Sequence, residues 1–196
     1  MSKITWKGGT LVVPVPPAMV SLGTVEKPNI ITIAWTGIIN SIPPKTYISV
    51  REERFSYNIL KENMEFVINL PTVSQAWAVD FCGMKSGKDN DKFKLMKLTP
   101  KKATQINAPI IEECPLNLEC KITDMMDLGS HTMFMADILA VNVSEEFIDK
   151  NGKLRIDKCE LLAFAHGEYF KLGDRVGTFG FSVRKKSPRK RKTNNN

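Results

Sequence analysis

Leu116, Leu118, Cys120 and Ile122 alternate with Asn117, Glu119, Lys121 and Thr123. A two-residue period puts successive side chains on opposite faces of an extended chain, so the pattern predicts a half-buried strand. Ile31, Ile33 and Trp35 alternate in the same way with Thr32 and Ala34, predicting a strand over 29–35, and a further strand over 18–25 follows the proline-rich entry Pro14-Val-Pro-Pro17. Pro43-Pro44 breaks the chain, because proline has no N–H to donate and restricts the residue before it. Thr46 to Val50 resumes as a strand rich in β-branched residues. Glu65 to Leu70 reads as a buried strand stopped by Pro71, and 132–143, apolar at Met133, Phe134, Met135, Ile138, Leu139 and Val141, as a central strand buried on both faces. Phe147 to Leu154 carries the turn Asp149-Lys-Asn-Gly152, and 161–172 gives a last strand or pair of strands. Two helices interrupt the series: one capped by Ser56 with its body over 58–63, and one over 74–81 burying Ala76, Trp77, Val79 and Phe81. Residues 82–92, rich in Gly, Ser, Asp and Lys, read as a loop. Many short strands with few short helices predict a mainly β fold, a barrel with helical insertions.

The chain has 196 residues, enough for one domain with its own core. No stretch reaches the roughly 20 apolar residues of a membrane helix, and the first residues lack the apolar run of a secretory signal. Both observations predict a cytoplasmic protein with no membrane partner. Cys82, Cys114, Cys120 and Cys159 show no CxxC spacing and only His131 and His166 accompany them, so neither a metal site nor a disulfide framework is expected. The net charge of +7 is uneven: seven of the 28 cationic side chains fall in residues 184–196, leaving 21 against 21 acidic residues in 1–183. The expected organisation is one domain over 1–183 and a disordered basic tail over 184–196. Nucleic-acid binding is then limited to weak phosphate contacts of that tail.

Acid–base and nucleophilic chemistry are thinly provided. Neither histidine has a sequence partner for a triad, no carboxylate cluster is dense, and neither GxGxxG nor GxxxxGK[ST] occurs. A bound cofactor is therefore expected to carry any reaction. Three segments suit a planar, anionic one. Thr32-Ile-Ala-Trp-Thr36 offers a strand end with small and hydroxyl side chains. Ser49-Val-Arg-Glu-Glu-Arg-Phe-Ser-Tyr57 runs from a strand into a helix N-terminus with two arginines at the junction, and such a terminus presents free N–H groups to an anion. Cys82-Gly-Met-Lys-Ser-Gly-Lys-Asp-Asn-Asp-Lys92 is a loop with several donors.

The run Asn29-Ile-Ile-Thr-Ile-Ala-Trp-Thr-Gly-Ile-Ile-Asn-Ser-Ile-Pro-Pro44 resembles the flavin reductase-like family, in particular its flavoredoxin branch. So do Ser49-Val-Arg-Glu-Glu-Arg-Phe-Ser-Tyr57, Glu65-Phe-Val-Ile-Asn-Leu-Pro71, Asp80-Phe-Cys-Gly83 with Ser86-Gly-Lys-Asp-Asn-Asp-Lys-Phe93, and Leu128-Gly-Ser-His131. These segments stand in the family's order over about residues 10–180 of the chain. The resemblance implies an FMN-binding split β-barrel that forms a homodimer, with FMN near the subunit interface. By position it implies that Thr32, Ala34, Trp35 and Thr36 line the flavin ring, and that Ser49, Val50 and Arg51 meet the ring edge and ribityl chain. Arg54 and Ser56 become phosphate partners, with Ser86 and Lys92 completing that end, and Asn69 a ring or ribityl contact. His131, after Gly129-Ser130, takes the place of a catalytic histidine near the nicotinamide. The expected function is an NAD(P)H-dependent flavin reductase-like enzyme. The alternative is a carrier with tightly bound FMN that exchanges electrons with a redox protein.

Overall fold

The structure, a computed structural model, describes residues 1–184. The tail expected over 184–196 lies outside the described residues except for Arg184. Eleven strands are seen: β1 (Ala18–Gly23), β2 (Pro28–Ile33), β3 (Thr36–Ser41), β4 (Pro44–Val50), β5 (Glu65–Leu70), β6 (Pro100–Lys101), β7 (Ile110–Ile111), β8 (Leu116–Asp127), β9 (Thr132–Val143), β10 (Leu162–Ala165) and β11 (Glu168–Lys171). Three helices join them: α1 (Phe55–Asn63), α2 (Ala76–Met84) and α3 (Lys92–Leu95). Seven strands make one antiparallel sheet in the order β2-β1-β5-β8-β9-β4-β3.

The two strands that end that order, β2 and β3, are one run of chain interrupted only at Ala34-Trp35. Before the interruption the run pairs with β1, Ile33 opposite Ala18. After it the run pairs with β4, Thr36 opposite Ile48, and the Ser49 N–H donates to the Trp35 carbonyl at 2.9 Å. One strand that changes partner in this way curls the sheet on itself, which is the split β-barrel expected from the sequence. The backbone around Ala34 and Trp35 sits at that seam.

The period-2 pattern sorts the core. Ala18, Val20, Leu22, Ile31, Ile33, Ile48, Val50, Phe66, Ile68, Cys120, Ile122, Phe134 and Ala136 fill the barrel. The opposite faces of β1 and β2 supply Met19 and Ile30, which pack under α2 and α3 with Val79, Cys82, Phe93 and Leu98. All four cysteines are buried free thiols. Two buried carboxylates tie the 103–109 segment to the sheet. Glu119, fully buried, accepts the Thr104 N–H at 2.8 Å, the Thr104 hydroxyl at 2.8 Å, the Gln105 N–H at 2.6 Å and the Asn142 amide at 2.7 Å. Glu65 accepts the Asn107 and Ala108 N–H groups at 2.8 and 3.1 Å. Among the described residues no helix is long and apolar enough to cross a membrane.

Several local expectations need correction. Strand β3 was not foreseen: the Ile42-Pro43 turn closes a hairpin whose edge strand exposes Ile38 and Ile39. Strand β9 lies between β8 and β4 but is not buried on both faces, since Leu139 and Val141 are about half exposed. The 74–81 helix begins as a short 3-10 turn and continues to Met84, and it buries Ala78, Val79 and Cys82 while leaving Trp77 80% exposed. Residues 82–92 are not all loop, because α2 ends and α3 begins within them.

Candidate functional site

A groove runs along the seam, in two halves that share Ile31 and Arg54. The wider half, about 280 Å³, is lined by Ile31 to Trp35, by Ser49, Val50 and Arg51 at the end of β4, and by Arg54, His131 and Phe164. Its walls join apolar and aromatic side chains to Thr32, Ser49, Arg51, Arg54 and His131, with backbone polar groups at the Ala34-Trp35 break. Such a slot suits a flat ring with polar edges. The narrower half, about 70 Å³, is lined by Arg54, Phe55 and Ser56 at the start of α1, by Cys82, Gly83 and Lys85 at the end of α2, and by Ser86, Gly87 and Lys92.

The narrow half gathers donor side chains at Arg54, Ser56, Lys85, Ser86 and Lys92 against one carboxylate, Glu53. Arg54, not the expected Ser56, is the N-cap of α1, and no side chain caps that terminus. The Tyr57 N–H turns back to the Arg54 carbonyl at 2.8 Å, which leaves the Phe55 and Ser56 N–H groups at the positive end of the helix dipole, facing the groove. Ser56 lies two residues further in, buried, and its hydroxyl accepts the Asn29 side-chain N–H at 2.8 Å. The loop closes over this pair at Gly87, where a Cβ would overlap Asn29 Oδ1, so glycine is required by close approach.

Lys92 is the least ordinary group here. It is only 4% exposed, and its ammonium donates to the carbonyls of Ile30 at 2.7 Å and Cys82 at 2.8 Å. An ammonium has three donors, so one remains for a ligand in the narrow half. Burial pulls its pKa down to about 8, partly offset by the Cys82 thiol and reinforced by Arg54. Burial in turn pushes the Cys82 thiol up to about 11, so it is protonated and inert as a nucleophile. The set of Arg54, the α1 terminus, the Ser86 hydroxyl and Lys92 fits a phosphate dianion.

In the wide half, His131 is half-buried with Nδ1 2.9 Å from the Ser130 hydroxyl. Burial lowers its pKa, and Arg51 and Arg54 lower it further against the opposing pull of Glu53. The imidazole is therefore neutral at pH 7. Arg51 is exposed at the mouth and paired with Glu53 at 2.9 Å. The Thr32 hydroxyl donates to the Val79 carbonyl at 2.5 Å, which ties the groove strand to α2.

Of the residues singled out from the sequence, the groove brings together Thr32, Ala34, Trp35, Ser49, Val50, Arg51, Arg54, Ser56, Ser86, Lys92 and His131. Thr36 and Asn69 are not among its walls. Thr36 is buried and spends its hydroxyl on the Tyr47 carbonyl at 2.6 Å. Asn69 is fully buried on the other face of β5. Its amide donates to the Met19 carbonyl and the Ser21 hydroxyl, each at 2.8 Å, and its oxygen accepts from Ile111 and Asn117. Every polar atom of Asn69 is consumed in holding β1, β5, β7 and β8 together. Phe164 was missed: it comes from β10, far along the chain, and nothing in the local pattern of 162–165 distinguishes a groove wall from a core position.

Residues 12–173 match the model of the family described as "Flavin reductase like domain". An uncharacterised protein of Archaeoglobus fulgidus is 31% identical over 146 residues, 74% of this chain and 81% of that protein. Among solved structures, the flavoredoxin of Desulfovibrio vulgaris (Miyazaki F) superposes with a TM-score of 0.86 at 29% identity, covering 93% of this chain and all of that one. The flavoredoxin from Methanosarcina acetivorans gives 0.83 at 25% identity, covering 94% of this chain and all of that one. On the match over 12–173 and these two superpositions, the chain belongs to the flavin reductase-like domain family, in its flavoredoxin branch.

Proposed function

We propose that the chain is an oxidoreductase that holds FMN along the seam groove and transfers electrons from NAD(P)H through it to an acceptor. The observation that carries this reading is that a slot walled by Trp35 and Phe164 shares Ile31 and Arg54 with a pocket of anion donors at one helix terminus. The wide half receives the ring against Trp35 and Phe164. Arg54, Ser56, Ser86 and Lys92 hold the phosphate. When bound, FMN supplies a hydride acceptor that also releases electrons singly. The chain's own contribution is positioning: the Ala34-Trp35 break presents backbone N–H groups and Ser49 its hydroxyl to the ring edge, Arg51 places a cation at the mouth, and neutral His131 offers a hydrogen bond beside the exposed ring face.

The flavoredoxin likeness favours a second reading, in which FMN stays bound and a protein partner supplies or takes the electrons. One experiment separates them. The absorbance spectrum of the purified protein, loaded with FMN if needed, is followed anaerobically on adding NADH or NADPH. Prompt bleaching supports the enzyme. Bands that persist with both nucleotides but bleach with a reduced protein donor support the carrier. A protein that takes up no FMN overturns both.

The homodimer and the cytoplasmic location belong to the same proposal. The edge strand β3 exposes Ile38 and Ile39, with Ile42 at its turn, and an apolar sheet edge of this kind calls for a partner surface. A scattering mass near that of one 22.0 kDa chain in the FMN-loaded protein would refute the dimer.

A further inference from the structure

Phe164 is the groove wall contributed by the separate β10–β11 hairpin, and its support is unusual. Its backbone is pinned to the segment before β1: the Val15 N–H donates to the Phe164 carbonyl and the Phe164 N–H to the Val15 carbonyl, both at 2.9 Å. That fixes where the side chain starts but not where the ring points. The ring is met from behind by Tyr169, which stands directly opposite it in the β10–β11 pair. The two ring centroids lie 5.4 Å apart with planes inclined by 58°, the tilted arrangement that aromatic pairs favour.

Tyr169 is itself fixed at its far end. Its hydroxyl donates to Asp80 Oδ1 on α2 at 3.2 Å, and its ring packs against the cluster under α2 and α3. Burial and the neighbouring Asp80 carboxylate push the phenol up to about 12, so it remains a donor throughout the physiological range. Asp80 adjoins Val79, whose carbonyl receives the Thr32 hydroxyl. Helix α2 thus sets two parts of the slot at once, the strand carrying Thr32 and, through Asp80 and Tyr169, the ring of Phe164.

We propose that Tyr169 is a positioning residue: anchored to Asp80 on α2, it holds the Phe164 ring at the angle that closes the slot over the flavin. The proposal rests on the reading of the groove as the FMN site. It implies that Tyr169 touches no part of the ligand and acts only through Phe164.

A double-mutant cycle on FMN affinity, read by quenching of flavin fluorescence at pH 7, tests this. Phe164→Ala raises the Kd roughly tenfold, equivalent to ~1.4 kcal/mol. Tyr169→Ala raises it about fivefold on its own, with a visible absorption band shifted toward that of free FMN. Because the second effect passes through the first, Phe164→Ala/Tyr169→Ala matches Phe164→Ala to within about twofold rather than reaching roughly fiftyfold. Tyr169→Phe keeps the ring and loses the anchor, and guards against a fold defect in the alanine variant. In the FMN-free protein it and Asp80→Ala each raise amide exchange in the β10–β11 hairpin while leaving the exchange of β5 and β8 unchanged. Additive losses in the cycle, or hairpin exchange unmoved by both anchor variants, overturn the positioning role alone. An FMN Kd unchanged by Phe164→Ala overturns the placement of the flavin in the slot and the positioning role with it.

Discussion

Replacing Lys92 with Met should both weaken FMN binding and remove its dependence on alkaline pH. The free protein holds this ammonium at a pKa of about 8 against an ordinary 10.5, with burial as the main cause. Below pH 8 the folded chain bears the cost of a buried charge, on the order of 3 kcal/mol from that displacement. Between about pH 8 and 10.5 the unfolded chain binds the extra proton, so the stability of the FMN-free protein rises with pH in that window. A phosphate dianion reverses the balance by favouring the charged form, so above pH 8 binding takes up a proton. At pH 7 the third ammonium donor contributes a charged hydrogen bond of about 1.5–3 kcal/mol, and its loss in Lys92→Met raises the Kd about ten- to a hundredfold. The wild-type Kd should be flat below pH 7.5 and then climb, reaching roughly thirtyfold by pH 9.5 for one proton taken up at pKa 8. Lys92→Met should be flat across the whole range, and the two curves should approach one another near pH 9.5. Flavin fluorescence titrations at half-unit steps from pH 6.5 to 9.5 measure this directly. A wild-type Kd that does not change with pH, or an equal slope in the variant, would refute the assignment of Lys92 to the phosphate.

Arg54→Ala should raise the FMN Kd about tenfold or more, a loss of at least ~1.5 kcal/mol, and an unchanged Kd by calorimetry would remove Arg54 from the phosphate set. In proton NMR the His131 ring should titrate below 6.5, because burial and two arginines disfavour its charge, and Arg51→Ala should move that midpoint upward. Gly87→Ala should weaken FMN binding and lower the melting temperature together, since the added methyl overlaps Asn29 Oδ1 beside Ser56. Burial raises the pKa of the Glu119 carboxyl, but the bonds from Thr104, Asn142 and Gln105 together outweigh it and hold the group below its ordinary value. That stabilisation is complete above about pH 4.3 and is lost as pH falls through the lower folded value. Glu119→Gln should cost about 1–3 kcal/mol in urea unfolding at pH 7, as its NH₂ group meets a backbone N–H, and should flatten the acid limb of stability.

Barrel strands were readable wherever one face is buried and the other is not, as in β8, whose alternation is set by the core on one side and solvent on the other. Strand β3 was hidden because Ile38 and Ile39 face outward, so its apolar residues carry no alternation, and the two prolines after it suggested a break rather than a hairpin turn. Helix α2 lies where the pattern predicts and buries Val79 as expected, but Trp77 is on its outer side. Its apolar residues surround the helix, and only the packing of Val79 and Cys82 on Ile30 decides that Trp77 faces out. The groove was legible where its walls lie close together in sequence, over 31–35 and 49–56. Thr36, the next residue after the first of these segments, and Asn69, on β5, turn their side chains to other partners, which residue type does not reveal. Phe164 needed the fold, since a contact across some 130 residues leaves no local trace.

The division of charge along the groove bears on what kind of chemistry it can host. The narrow half holds Arg54, Lys85 and the buried Lys92 together with the α1 terminus, while the wide half shares Arg54 and adds Arg51, which is paired with Glu53 at the mouth. The wide half has one group that ionises near neutral pH, His131, and the surroundings keep it uncharged. The only thiol among the groove walls is buried and protonated. A wide half of this composition suits a planar ring but offers no strong base or nucleophile to attack it. A buried ammonium at one end and exposed, partly paired charge at the other is the arrangement expected when a ligand is held by its phosphate and reacts through its ring. The weak pull on the ring matters in its own right. A neutral imidazole stabilises negative charge less than an imidazolium would, which leaves Arg51 and the backbone N–H groups at the seam to set how readily the bound ring accepts electrons. Arg51 is exposed and already paired with Glu53. Its field at the ring is therefore partly screened, so the seam backbone, which no substitution of a side chain removes, is the more constant contributor.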